Sequence, residues 1–248
     1  MKILVCISHV PDTTSKINFL NNDSEFDTNG VQYVINPNDE YGLTRAIWFQ
    51  EQQGAKVTVV TIGGIETEPT LRKALAIGAD DAIRVNAIPT DGFFVAKQLG
   101  EVVKIGGYDI VICGKESLDY NGGMVPGMLA GLLGYHFVNS CTELIVEGTS
   151  AKVGREIDGG KEIVSTSLPL IIGGQKGLVE EKDLRIPNMR GIMTARTKVL
   201  TVLEPIASEN KTKAVKFEKP IAKSAVKLIS ADNLDELINL LHNEAKVI

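Results

Sequence analysis

Four times within the first 134 residues, a short apolar run gives way to a longer stretch whose apolar residues recur at helical spacing. That alternation leaves few folds open. A continuous apolar run suits a strand buried on both faces, and strand–helix–strand repeats give parallel strands joined by right-handed crossovers. The runs are residues 2–7, 56–62, 81–85 and 108–113, with helices expected at 38–53, 66–77, 91–106 and 122–133. Asn38 can cap the first helix, and Gly54 and Gly78 can close the first two. The third carries Phe94, Leu99, Val102 and Val103 on one face and stops near Gly106-Gly107. Residues 16–34 read as a hairpin excursion, with Asn21-Asn22-Asp23 and Asn29-Gly30 as turn signals. From residue 137 to 172 the pattern turns to β, with two hairpin-like pairs. The predicted class is a doubly wound, mostly parallel α/β sheet with added antiparallel strands. Trp48 and the Phe93-Phe94 pair read as packing residues.

A second unit begins near residue 204. Residues 205–228 carry Lys211, Lys213, Lys216, Lys219, Lys223 and Lys227, two prolines and one aromatic residue, which predicts an extended arm. About 20 extended residues reach roughly 65 Å, enough to cross another subunit. Residues 231–244 then predict one amphipathic helix, capped by Asp232 or Asn233, with Leu234, Leu237, Ile238, Leu240 and Leu241 as an apolar stripe. The division expected is 1–204 for the α/β domain and 205–248 for the arm and its helix.

Charge and cysteine usage remove several functions. The net charge is −5, with a pI near 5.4, which argues against a nucleic-acid binder. Cys6, Cys113 and Cys141 have no paired spacing, and His9, His136 and His242 no metal-ligand spacing, so no metal site is expected. Cys6 and Cys113 lie in apolar runs and read as core residues. The first seven residues are too short for a signal segment, and no apolar run approaches the roughly 18 residues of a membrane span. A reducing compartment, the cytoplasm, is expected, without membrane insertion.

Two motifs stand outside the alternation. Arg155-Glu156-Ile157-Asp158-Gly159-Gly160 predicts a hairpin: strands at 153–157 and 161–167, joined by a type I′ turn at Asp158-Gly159. After an apolar strand at 168–172 comes a polar loop, Arg185 to Arg196, with Met189, Ile192 and Met193 set among arginines. Apolar anchors within a cationic rim suit a partner-docking surface. An ordinary hairpin and an ordinary surface loop would carry the same residue types.

Ligands of doubly wound sheets bind beyond the carboxyl ends of the strands. The loops placed there are Ser8 to Thr14, Thr61 to Gly64 and Gly114 to Val125. The last leads into a helix, and its glycines let backbone amides approach a phosphate at a dipole that favours the anion. Asn121 to Val125 is thus a candidate phosphate cradle. It is neither G-x-G-x-x-G nor a Walker A loop, and a plain turn would look the same.

Taken in order, these motifs resemble the β subunit of the electron transfer flavoproteins. That family's hairpin reads R-E-I-D-G-G. Its N-terminal strand is followed by V-P-D, as at Val10-Pro11-Asp12, and its first helix by a preceding Asn-Pro, as at Asn36-Pro37. It has L-R-x-A-L-A-x-G-A-D, as at Leu71 to Asp80, and G-[KR]-x-x-x-D, as at Gly114-Lys115 and Asp119. The match spans residues 3–203. The resemblance implies a Rossmann-like, adenine-nucleotide-binding fold. It implies AMP in this subunit, with Cys6, Asn36 and Ile62 at the adenine, and Gly114, Asp119, Asn121, Gly122, Gly123, Met124 and Val125 around the phosphate. Bifurcating members hold a second FAD there instead and oxidise NADH; the hairpin resembles the conventional members. The resemblance further implies an FAD held mainly by an α subunit and covered by residues near Asp12 and Thr13. A C-terminal segment would wrap the α subunit, and no residue of this chain would be catalytic. Electrons would pass from acyl-CoA dehydrogenases of fatty acid β-oxidation to a membrane-bound quinone oxidoreductase. Arg185, Met189, Ile192 and Met193 fall in the loop that recognises dehydrogenases. The chain departs from the pattern at several positions. Asn121, Met124 and Val125 stand where a second acid, Gln and Thr or Val are usual, and Pro126 follows. Met189 replaces a Leu and Arg190 a Pro.

Two other functions fit the residues less well. An ATP pyrophosphatase needs a Ser/Gly-rich loop after the first strand, and Ser8-His9-Val10-Pro11-Asp12 holds no glycine. A free-standing nucleotide-binding stress module is usually shorter and lacks the lysine-rich arm. Ser8, His9 and Asp12 are too close on one loop for a hydrolase triad, and no nucleophile elbow is present.

Overall fold

A computed structural model describes residues 1–222 and 225–248; Lys223 of the arm lies outside the described residues. The chain runs β1 (Lys2–Cys6), β2 (His9–Pro11), β3 (Phe19–Leu20), β4 (Glu25–Phe26), β5 (Tyr33–Ile35), α1 (Pro37–Gln53), β6 (Lys56–Ile62), α2 (Glu68–Ile77) and β7 (Asp81–Val85). It continues with α3 (Gly92–Gly106), β8 (Ile110–Gly114), α4 (Val125–Leu133), β9 (His136–Glu147), β10 (Ser150–Ile157), β11 (Gly160–Ser167), β12 (Leu170–Gly174), α5 (Met189–Ala195), β13 (Leu200–Leu203) and α6 (Leu234–Asn239). Nine strands form one sheet in the order β11-β10-β9-β12-β8-β1-β6-β7-β13. It is parallel from β9 to β13, and β10 and β11 extend it antiparallel.

Period-two alternation along each core strand builds the two faces. Ile3 and Val5 of β1 join Leu43 and Ile47 of α1 and Leu71 and Leu75 of α2 on one side. Leu4 and Cys6 join Leu99 and Val103 of α3 and Leu129 of α4 on the other. Leu43, Leu71, Leu75 and Leu129 are fully buried, each stabilising the fold by about 1.5–3 kcal/mol. Helices on both faces make the sheet doubly wound. After β7 the chain crosses β6 and β1 to lay β8 on the far side of β1, so the winding reverses between β1 and β8.

Local motifs acquire structural roles. Arg72 donates to the carbonyls of Ala195 and Lys198 at 2.8 Å each, tying α2 to the end of α5. The Asp80 carboxylate accepts from the Val57 amide at 2.7 Å. Arg155 lies opposite Glu162 across the hairpin, 3.6 Å away. Trp48 packs against one core and Phe94 against the other.

Several expectations need correction. Only Gly159 of the hairpin turn has positive φ, 84°, so the turn is not type I′, which needs it at both central residues. Helix α4 starts at Val125 rather than residue 122, because Asn121 is left-handed at φ 53° and a Ser117–Gly122 bridge closes a turn first. Asn36, not Asn38, occupies the N-cap of α1, and neither side chain caps it; Pro37 starts the helix. The strand expected at 168–172 is β12, shifted two residues onward. The Arg185-to-Arg196 loop contains the short helix α5, capped by Asn188, whose Oδ1 accepts from the Gly191 amide at 2.7 Å.

The segment after β13 first lies along its own chain. Gln98 exchanges two hydrogen bonds of 2.8 Å with the Ile206 backbone. Asp91 caps α3 through the Phe94 amide at 2.7 Å while its other oxygen takes the Thr212 amide at 2.8 Å. Phe217 stacks on Phe19 with ring centroids 5.0 Å apart. Beyond it, α6 starts at Leu234 under an Asn233 cap and turns π-helical over Leu240–Glu244, with no residue buried. Among the described residues, no helix is long and apolar enough to cross a membrane.

Candidate functional site

Strands β1, β6 and β8 end on one side of the sheet, and the reversal between β1 and β8 makes a switch point there, where sheets of this kind bind ligands in a crevice. Cys6 ends β1, Ile62 ends β6 and Gly114 ends β8. The Asn36 side chain is buried and engaged in shaping the loop beyond β8. Its amide donates to the Glu116 carbonyl at 3.0 Å and to Asp39 at 3.1 Å, and its carbonyl accepts from the Leu118 amide at 3.2 Å. Asn38 also donates to Glu116, at 3.3 Å. The loop is therefore folded down on the start of α1.

The turn that follows feeds α4. Asp119 accepts hydrogen bonds from the Ser117 hydroxyl and from the Tyr120 amide, the latter at 2.9 Å. Ser117 closes back on the Gly122 carbonyl at 3.2 Å. A Cβ on Gly123 would stand 3.1 Å from the Lys115 carbonyl, so the backbone passes close to its neighbour there. No side chain caps the start of α4, and Pro126 has no amide to satisfy. The cradle residues Asn121 to Val125 thus come together at a helix end that favours an anion. Cys6 and Ile62 stand at the ends of the neighbouring strands β1 and β6.

Asp39 is the residue that sequence reasoning missed. Its carboxylate, 2% exposed, accepts from the Ser8 amide at 2.7 Å and the Gly114 amide at 2.9 Å. Burial pushes this carboxyl up to about 7 against the pull of those amides and of Asn36. Cys6 is held well above the usual thiol range, first by its hydrogen bond with Cys113 and then by burial.

The loop after β1 is ordered by separate partners. The Thr14 hydroxyl and amide hold Asp12 below the usual carboxylate range, the amide at 2.8 Å; Thr13 is exposed beside it. His9 stacks on Tyr33 at 4.2 Å and meets Thr70 at 2.8 Å; burial lowers its pKa. Ser8, His9 and Asp12 spend their bonds on different groups, so no triad forms.

Packed on α2, α5 presents Met189 (75% exposed), Met193 (69%) and Ile192 to solvent, and Ile186, before it in the chain, is exposed as well. A Cβ on Gly191 would stand 2.2 Å from the Ala76 carbonyl, so α5 is seated directly on α2. Arg185 pairs with Glu51 at 2.7 Å. Two hollows, of about 290 and 450 Å³, open at the other end of the sheet beside Lys2 and Met1, away from where β1, β6 and β8 end.

A doubly wound sheet with a glycine-rich turn and a bare helix start at its switch point defines a Rossmann-like α/β protein. The family described as Electron transfer flavoprotein domain matches residues 24–208. The chain is 34% identical to the electron transfer flavoprotein subunit beta of Bacillus subtilis (strain 168), over 100% of both chains. It is 35% identical to the subunit beta of Syntrophomonas wolfei, over 91% of this chain and 88% of that one. The human subunit beta is 29% identical, over 94% of this chain and 95% of that one. The chain belongs to the electron transfer flavoprotein β-subunit family, a family of electron carriers.

Proposed function

We propose that this chain pairs with an electron transfer flavoprotein α subunit and holds AMP in the crevice between β1 and β8. The crevice itself carries the reading: three strand ends, a folded-down loop and an uncapped helix converge there. Backbone amides of Gly123, Met124 and Val125 would hold the phosphate. Their use of main chain explains how Met124 and Val125 can replace the usual side chains. Cys6 and Ile62 would flank the adenine, and Asn36, Gly114, Asp119, Asn121 and Gly122 would shape the loop around it. The nucleotide here is structural.

The FAD, held mainly by the α subunit, supplies the redox chemistry when bound. This chain's part is to cover the flavin with the loop at Asp12 and Thr13, whose conformation the Thr14 bonds fix. No residue of the chain is catalytic. The α5 surface of Met189, Ile192 and Met193, with Arg185 at its edge, would receive acyl-CoA dehydrogenases. Electrons would leave toward electron transfer flavoprotein:quinone oxidoreductase, in the cytoplasm or at its membrane face. The exposed stripe of α6 would pack on the α subunit, with residues 205–248 as the connecting arm.

The test mixes the purified heterodimer with an acyl-CoA dehydrogenase and its substrate and follows flavin reduction. Rapid reduction by the dehydrogenase and none by NADH supports the reading. Direct reduction by NADH points instead to a bifurcating carrier with a second FAD in the crevice.

A further inference from the structure

Pairing between β1 and β8 stops at Val5 and Ile112, whereas β1 stays paired with β6 to Cys6 and β8 with β12 to Gly114. The two strands that wall the crevice therefore part before they end. Asp39, from the first turn of α1, fills the split. One carboxylate oxygen takes the Ser8 amide just past β1, at 2.7 Å, and the other takes Gly114 at the end of β8, at 2.9 Å. The Asn36 amide adds a third bond, of 3.1 Å, to the Gly114-bound oxygen. A Cβ on Gly114 would sit 2.3 Å from that oxygen, so the approach requires glycine. The start of α1 favours the charged form.

We propose that Asp39 is a positioning residue for the nucleotide: one buried carboxylate replaces the missing strand ladder and sets how far apart the crevice walls stand. This rests on the reading that AMP occupies the crevice. A carboxylate can serve both strand ends at once. A protonated carboxyl or an asparagine turns one oxygen position into a donor, and one strand amide loses its partner.

The geometry makes nucleotide affinity depend on the ionisation of Asp39, and burial brings that ionisation to about pH 7. From β1 the Cys6 thiol faces it, in contact with Cys113 of β8. Beyond β8 lies the Lys115–Glu116 pair, 3.7 Å apart, and on α1 Glu40 is turned to Lys73 at 3.1 Å.

The experiment measures AMP affinity of the nucleotide-stripped heterodimer, wild type and Asp39→Asn, between about pH 6 and pH 8. The phosphate ionises near pH 6 and affects both proteins alike, so the ratio of affinities is the readout. The wild type should bind on the order of tenfold tighter at about pH 8, with the ratio approaching one at about pH 6. A ratio that does not change with pH overturns the role of Asp39 and leaves the crevice reading standing. Failure of the wild type to bind AMP overturns the crevice reading and the role with it. If the variant does not assemble, the amide titration of the nucleotide-free wild type decides. The amide resonances of Ser8 and Gly114 should titrate together with one midpoint; flat or independent titrations overturn the proposal.

Discussion

Helices α3 and α6 are written in the same local code and end differently. Each is opened by a side chain that accepts from the amide three residues on, Asp91 from Phe94 and Asn233 from Glu236. Each carries a leucine- and valine- or isoleucine-rich stripe. Helix α3 buries Leu99, Val102 and Val103 against the sheet, whereas α6 leaves Leu234 60% and Ile238 55% exposed. Propensity and capping therefore do not decide where a helix goes; the availability of an apolar face does. Among the described residues, the stripe of α6 finds no such face, which is the physical reason to expect a second subunit.

The contrast can be tested from its strong side to its weak one. Leu99→Ala should cost about 2–5 kcal/mol in urea unfolding of the chain, because a buried leucine is replaced by a cavity. Gln98→Ala should cost about 1–3 kcal/mol, since the backbone groups of Ile206 lose both partners. A loss that small or smaller for Leu99 would place α3 outside the core. Asp91→Ala removes the cap and the arm's anchor together, for about 1 kcal/mol.

The pH dependence of that last loss has a definite sign. The Phe94 amide, with those of Thr212 and Lys211, lowers the Asp91 pKa. A depressed carboxylate contributes stability above its unfolded pKa, about 3.9, and loses it as pH falls through the lower folded value. The gap between wild type and variant should be constant at neutral pH and close only in strong acid. A gap that already closes at about pH 6 contradicts the bonding described.

On the weak side, Leu237→Asp with Ile238→Asp should leave the chain's own stability within about 0.5 kcal/mol, as for exposed sites. The same pair should weaken α-subunit binding at least tenfold in a titration. Destabilisation of the isolated chain instead would show that α6 packs at home. Met189→Ala should leave stability and flavin content unchanged and slow electron transfer from the dehydrogenase. Unchanged transfer kinetics would remove Met189 as an anchor.

What the sequence revealed follows the range of the interactions involved. The core strands, the antiparallel extension and a cap at Asp232 or Asn233 were legible because each is written in residues close along the chain. The turn before α4 was not: Gly122 and Gly123 fit a helix start or a turn equally well until the Ser117–Gly122 bridge decides. Asp39 looked like an ordinary acid in a first helical turn. Its role appears only when Ser8 and Gly114, 31 and 75 residues away, are brought beside it. Likewise, the arm's lysines and prolines announced an extended segment, but not that Asp91, Gln98 and Phe19 would hold its first half.

The crevice between β1 and β8 is proposed to hold one AMP in a heterodimer that carries one FAD elsewhere. The most direct measurement is to co-express this chain with an α subunit, denature the purified complex and quantify the released nucleotides. One FAD and one AMP per heterodimer is the predicted result; two FAD without AMP, or no AMP at all, would contradict it.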